Sequence, residues 1–171
     1  MMTVEIQLTK GYVAVVDDCD ADLADFRWYA NRTHGLVYAV RSIYRGAGPH
    51  GNQYIHRVVL ERVLGRAIAD GLWPDHINGD GLDNRRANLR EASIQQNHAN
   101  SKRRERRRGE KQSSEFRGVY WNKQRRKWYA MIRCDKRTRY LACSSSELEA
   151  ARAFDRAALE LYGSFARING V

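Results

Sequence analysis

The sequence predicts an α+β chain with a β-rich N-terminal part, a strand-and-helix middle, and a C-terminal three-stranded antiparallel sheet packed on one helix. Three observations carry this. Apolar residues alternate with a period of two over the first forty or so positions. The period turns helical after Tyr54. Beyond a basic stretch at 101–115, three short strand-like runs lead into a long amphipathic helix.

The elements follow in order. VEIQLT sets Val4, Ile6 and Leu8 on one face, and Lys10-Gly11 turns the chain into YVAVVD, which makes a hairpin. FRWYANRT and LVYAVRSIY are two further strands around Gly35. RGAGPHGN, residues 45–52, is rich in glycine with a proline and is expected to be a loop. Val58, Val59, Val63 and Leu64 recur at helical spacing until Gly71 and Pro74. A second helix is expected over ANLREASIQQNHANSKRR, placing Leu89, Ala92 and Asn97 on it. The 101–115 stretch has almost no apolar content and reads as a linker, disordered when free. These features divide the chain into residues 1–100, the linker 101–115, and a domain at 116–171.

The last domain has its own internal logic. FRGVYW, KWYAMIRC and RTRYLAC are strands. Alternation puts Trp128, Ala130, Ile132 and Cys134 on one face of the middle strand and Tyr129, Met131 and Arg133 on the other. Ser146 and Glu149 fit a capping box, Ala151, Phe154, Ala158 and Leu161 form the buried stripe, and Gly163 stops the helix.

Charge narrows the partner. The chain carries a formal net charge of +10. Between Arg85 and Arg139 there are 19 Lys and Arg against 5 Asp and Glu, while the remainder is acidic. A basic block of this kind is the footprint of a polyanion. Cys19, Cys134 and Cys143 form no CxxC pair, which argues against a thiolate zinc site or a disulfide framework. No run approaches the ~20 apolar residues of a membrane span. The expectation is a soluble, cytoplasmic monomer.

DHINGDGLDNRRANL, residues 75–89, carries the chemistry. It is no helix-loop-helix calcium loop: with Gly81 at the sixth position, His76 and Ala87 fall where acidic ligands are needed. Asp75-His76 joins a hard-metal ligand to a group that titrates near neutrality. Asn88 can bond nearby backbone and close the loop. Asn97, on the following helix, adds an amide oxygen. One carboxylate and one amide make a sparse oxygen site of the kind Mg²⁺ takes with water and phosphate. His98 is the rival to Asn97. His34 and His50 read as structural, and His56 as packing under the hairpin.

Asp75-His76, Asn84, Asn88-Leu89 and Asn97, preceded by His56-Arg57, resemble the HNH homing endonucleases of phage and other mobile elements over roughly residues 54–100. The resemblance implies a ββα-metal core holding one divalent metal, Mg²⁺. Asp75 and Asn97 match the metal ligands, His76 the general base, and Asn88 the loop-bracing Asn. It also implies hydrolysis of DNA to 5′-phosphate and 3′-hydroxyl ends, and a single catalytic site suggests one strand cut per encounter. With an ordinary histidine, activity should fall below about pH 6.

Arg117-Gly118-Val119, WYAMIR at 128–133 and EAARAFDRAA at 149–158 resemble the plant Apetala/ethylene-response-factor DNA-binding domain over the whole C-terminal segment. That resemblance implies a sheet entering the major groove of double-stranded DNA, with Arg117, Trp121, Lys123, Arg125, Arg126, Tyr129, Arg133 and Tyr140 as contacts. Tyr120 and Met131 depart from the plant pattern, so its sequence preference does not transfer. Arg103, Arg104, Arg106 and Arg107 of the linker would follow the phosphate backbone. Two other functions fit parts of this chain: a DNA-binding regulator with a relic nuclease segment, and an RNA-binding or RNA-cleaving protein.

Overall fold

The computed structural model describes residues 2–33, 35–43, 51–102 and 113–171. The chain is mixed α and β, with several small antiparallel sheets and a C-terminal helix. It divides into two compact units, Met1–Ile94 and Gln95–Val171.

The first unit opens with the hairpin β1 (Thr3–Gln7) and β2 (Val13–Asp17). Its turn places Lys10 and Gly11 at positive φ. Strands β3 (Tyr29–Thr33), β4 (Leu36–Ile43) and β5 (Gly51–Tyr54) form one sheet in that order. The expected loop at 45–52 is therefore too long at its C-terminal end: Gly51 and Asn52 pair with Ile43 and Ser42. Its residues 45–50, with His34 and His50, lie outside the described residues.

Helix α1 (Ile55–Leu64) follows, and it ends about two turns before Gly71. Gly65 takes the left-handed conformation at its C-cap, φ 65°, which only glycine adopts at little cost. Leu23, Ile55, Val59 and Leu60 fill the core with Ile6, Ala14, Val16 and Trp28. The indole N–H of Trp28 donates to the Leu23 carbonyl at 2.7 Å.

The second expected helix is largely replaced by a strand. β6 (Leu72–His76) pairs with β7 (Leu89–Ser93), so Leu89 faces His76 and Ala92 faces Trp73. A five-residue apolar-polar pattern such as LREAS is compatible with either element. Pairing with β6 decides it, and the Glu91 carboxylate fixes the register by accepting from Arg66 and from the Ala69 N–H. Only α2 (Ile94–Asn100) is helical, and Asn97 lies in its first turn.

The second unit contains β8 (Val119–Asn122), β9 (Lys127–Cys134) and β10 (Arg137–Ser144), with β9 central, and α3 (Glu147–Tyr162). Val119, Ala130 and Ile132 pack against Ala150, Ala151, Phe154 and Ala158. The alanines bring α3 close to the sheet, and Gly118 is needed for the same reason: a Cβ there would lie 2.1 Å from the Phe154 ring. Ser146 caps α3 by accepting from Glu149 N–H. The Glu149 carboxylate, in turn, bonds the Ser144 hydroxyl, and that hydroxyl takes the Ser146 N–H. The capping box is thus completed one hydroxyl further back.

Candidate active site

The N-terminal hairpin is the platform for the 75–89 loop. Val15 N–H donates to Leu82 O at 2.9 Å, and Asn84 N–H donates to Val15 O at 2.8 Å. Arg86 then locks the far end. Its N–H donates to Asp17 and its guanidinium to Asp20 at 2.7 Å. Asp20 is fully buried and also receives Arg62 at 3.0 Å. Burial alone would raise the Asp20 carboxyl, but the bonds from Arg86 and Arg62 outweigh it and hold the group below the usual range.

Within the loop, Asn88 is the brace. Its side-chain oxygen accepts Asn78 N–H at 3.0 Å, and its amide donates to Asp83 O at 2.7 Å and Asn78 Oδ1 at 3.1 Å. Asp83 is itself clamped by Arg85 and by the Asn78 amide. Side-chain to backbone bonds of this type let a glycine-rich loop hold one shape. Gly81 reaches the β4 backbone so closely that a Cβ would sit 2.4 Å from Val37 O.

This frame holds His76 at the end of β6. The residue is 6% exposed, more enclosed than a solvent-facing base, and its ring lies beside Tyr38 and His56. Its Nε2 lies 3.2 Å from Asn84 Oδ1. The Asn84 amide nitrogen donates to Leu82 O at 2.9 Å, so the oxygen is the atom turned toward His76. Nε2 therefore carries the hydrogen, and in the neutral ring Nδ1 is the basic nitrogen. Burial is the largest influence on His76 and holds it below the ordinary histidine range; the Asn84 bond and Asp75, Asp80 and Asp83 push the other way. A neutral imidazole with a fixed tautomer can take a proton near pH 7. The acid limb expected near pH 6 accordingly moves lower.

Asp75 is 4% exposed and accepts from Arg90 Nε at 2.9 Å, its register partner across the hairpin. Among the described residues no group of three or more His, Cys, Asp or Glu side chains is arranged to hold a metal. A single carboxylate such as Asp75 would suit only a cation that keeps most of its shell as water and substrate oxygen. Asn97 lies on α2, in the second unit.

The proposed DNA contacts of the second unit divide. Lys123, Arg125, Arg126, Arg133 and Tyr140 are exposed, and Trp121 is half-buried against Trp128. Two of the expected contacts have partners within the protein. Tyr129 is 7% exposed, enclosed on the outer face between Tyr120 and Tyr140, so its ring supports their positions. The Arg117 guanidinium is spent on backbone carbonyls, donating to Ser101 O at 2.6 Å and His98 O at 3.0 Å. Arg103, Arg104, Arg106 and Arg107 lie outside the described residues.

Asn84 and Tyr38 were given no role from the sequence. Asn84 stands in the quoted motif, but nothing in one sequence distinguishes a 1% exposed Asn from a turn former.

Comparison with known proteins gives one family match. Residues 53–99 match the family model described as HNH endonuclease, a stretch that contains α1, the β6–β7 hairpin, the braced loop and Asn97. No curated protein and no solved structure matches the chain. The similarity supports a nuclease with DNA as its substrate. No helix among the described residues is long and apolar enough to cross a membrane.

Proposed function

We propose that the chain is a Mg²⁺-dependent DNA endonuclease of the homing type that nicks its target, with His76 as general base. The observation that carries this is the bond from His76 to a buried, oriented Asn84 inside the segment similar to HNH endonucleases. Neutral His76 accepts a proton from the attacking water at Nδ1 while Asn84 holds the ring. Asn88 keeps the loop closed around it. Asp75 and Asn97 are the residues that would hold the metal. Bound there, a divalent ion supplies charge stabilisation to the scissile phosphate and the leaving oxygen.

The C-terminal sheet supplies affinity and register on double-stranded DNA. In support, its β8–β9 turn presents Lys123, Arg125 and Arg126, and the outer face carries Tyr140 and Arg133. The linker arginines add phosphate contacts, so affinity should fall steeply with salt.

A second reading, a DNA-binding regulator, is favoured by one observation: Asp75 pairs with Arg90, and among the described residues no cluster of acids forms around it. One experiment separates the readings. Supercoiled DNA and RNA are each incubated with the protein in Mg²⁺ or EDTA. Nicked DNA in Mg²⁺ alone supports the endonuclease. Binding with no cleavage points to the regulator, and cut RNA with intact plasmid points to an RNase.

A further inference from the structure

We propose that the outer face of the C-terminal sheet selects A·T pairs, with Tyr120, Met131 and Tyr140 packing on thymine methyl groups in the major groove of the target. The inference rests on the reading of that sheet as a contact for double-stranded DNA. Strand register brings these side chains together. Lys127, Tyr129, Met131 and Arg133 share the outer face of β9, opposite Ala130 and Ile132, which pack toward α3. Tyr120 on β8 is the register partner of Tyr129, and Tyr140 on β10 is that of Met131. Tyr120 stacks on Tyr129 with centroids 5.9 Å apart, and Tyr140 tilts against Tyr129 at 5.5 Å. The Tyr120 hydroxyl donates to the Met131 sulfur, which turns two polar atoms toward each other. Three rings and a thioether thus make an apolar mound at the centre of the face. Tyr140 is 55% exposed at its top, and Tyr120 and Met131 are half-buried.

Charge surrounds this mound. Residues 117–143 hold nine Lys and Arg against one acid, Asp135. Lys127 and Arg133 stand at the two ends of β9, and the β8–β9 turn adds Lys123, Arg125 and Arg126. Asn122 shapes that turn by accepting Arg125 N–H at 2.9 Å. A cationic rim suits phosphates, which position the protein, and the centre meets base edges, which specify sequence. The apolar group on a major-groove edge is the thymine methyl, whereas guanine is read by arginine. A G·C edge set against the mound would lose water and gain no partner. Unpaired bases would need an open ring face, and Tyr129 has its ring covered by Tyr120 and Tyr140. A duplex with thymine methyls is the occupant this face fits.

The test uses the full chain in EDTA at fixed salt, with anisotropy competition among duplexes of equal length. The probes are alternating d(A-T), alternating d(A-U), which lacks the methyls, and alternating d(G-C). d(A-T) should bind more tightly than d(A-U) by about fourfold for each methyl buried, and d(G-C) no more tightly than d(A-U). Tyr140→Ala, an exposed change, and Met131→Gln, of similar volume, should each bring the d(A-T) to d(A-U) ratio toward one; either decides the matter if the other fails to fold. Arg125→Ala should weaken all three probes alike and reduce the salt slope by about one. Equal affinity for d(A-T) and d(A-U), or a ratio that both variants leave unchanged, overturns the methyl reading. If Arg125→Ala still weakens binding in that case, the sheet remains a DNA contact. If Arg125→Ala, Tyr140→Ala and Met131→Gln all leave every affinity unchanged, the reading of the sheet as a DNA contact fails, and the methyl reading falls with it. Tighter binding to single-stranded oligo(dT) than to d(A-T) duplex would overturn it in favour of a stacking platform.

Discussion

Replacing His56 by phenylalanine should remove a defined part, about 2 kcal/mol, of the acid sensitivity of the first unit between pH 7.5 and 5. His56 stacks on Tyr54 with ring centroids 5.2 Å apart and meets Tyr38 and His76 edge-on. Its Nδ1 is buried with no hydrogen-bond partner among the described residues. Burial, with smaller effects from His76 and Arg57, pushes the ring down to about 3 from 6.5. The unfolded chain therefore takes a proton as pH falls through 6.5, and the folded chain does not until about 3. Stability from neutral His56 is complete above about pH 6.5 and is lost progressively below it. At about 1.4 kcal/mol per pH unit, the wild type loses about 2 kcal/mol from this residue between pH 7.5 and 5. His56→Phe keeps an aromatic ring of similar size and has nothing to protonate. At pH 7.5 it should be as stable as the wild type or more so by about 1 kcal/mol, because a buried nitrogen without a partner is removed. Urea unfolding followed by pulsed hydrogen exchange on α1 peptides isolates the unit concerned. Equal losses in both proteins between pH 7.5 and 5 would refute the reasoning.

Other changes test the loop and the base. Asn84→Leu keeps the volume but leaves His76 Nε2–H without its acceptor, so single-turnover nicking should fall about 10²-fold or more with DNA affinity unchanged. Gly81→Ala forces a methyl to within 2.4 Å of Val37 O and should destabilise the first unit by about 1–3 kcal/mol, read as a lower urea midpoint for α1 peptides.

Much of the fold was legible because its signals are local. The alternation of Val4, Ile6 and Leu8 and the Lys10-Gly11 turn define the first hairpin without help from the rest of the chain. The same holds for the alanine stripe of α3 and its Ser146 cap. The misreadings lie where distant residues decide. LREAS becomes a strand only because LWPDH pairs with it, and α1 stops at Gly65 because that glycine turns left-handed. The site shows the same division. Asp75, His76 and Asn88 stand out as residue types in a turn-rich motif, whereas Asn84 takes its meaning from the fold that buries it. Arg117 matched a DNA-contact position, yet its guanidinium is drawn to carbonyls sixteen and nineteen residues upstream.

Whether His76 is the proton acceptor for DNA cleavage is measured most directly by single-turnover nicking of supercoiled DNA at saturating protein and Mg²⁺, wild type against His76→Ala. The account predicts equal occupancy of the DNA and a nicking rate lower by about 10²- to 10⁴-fold in the variant. Undiminished nicking by His76→Ala would contradict it.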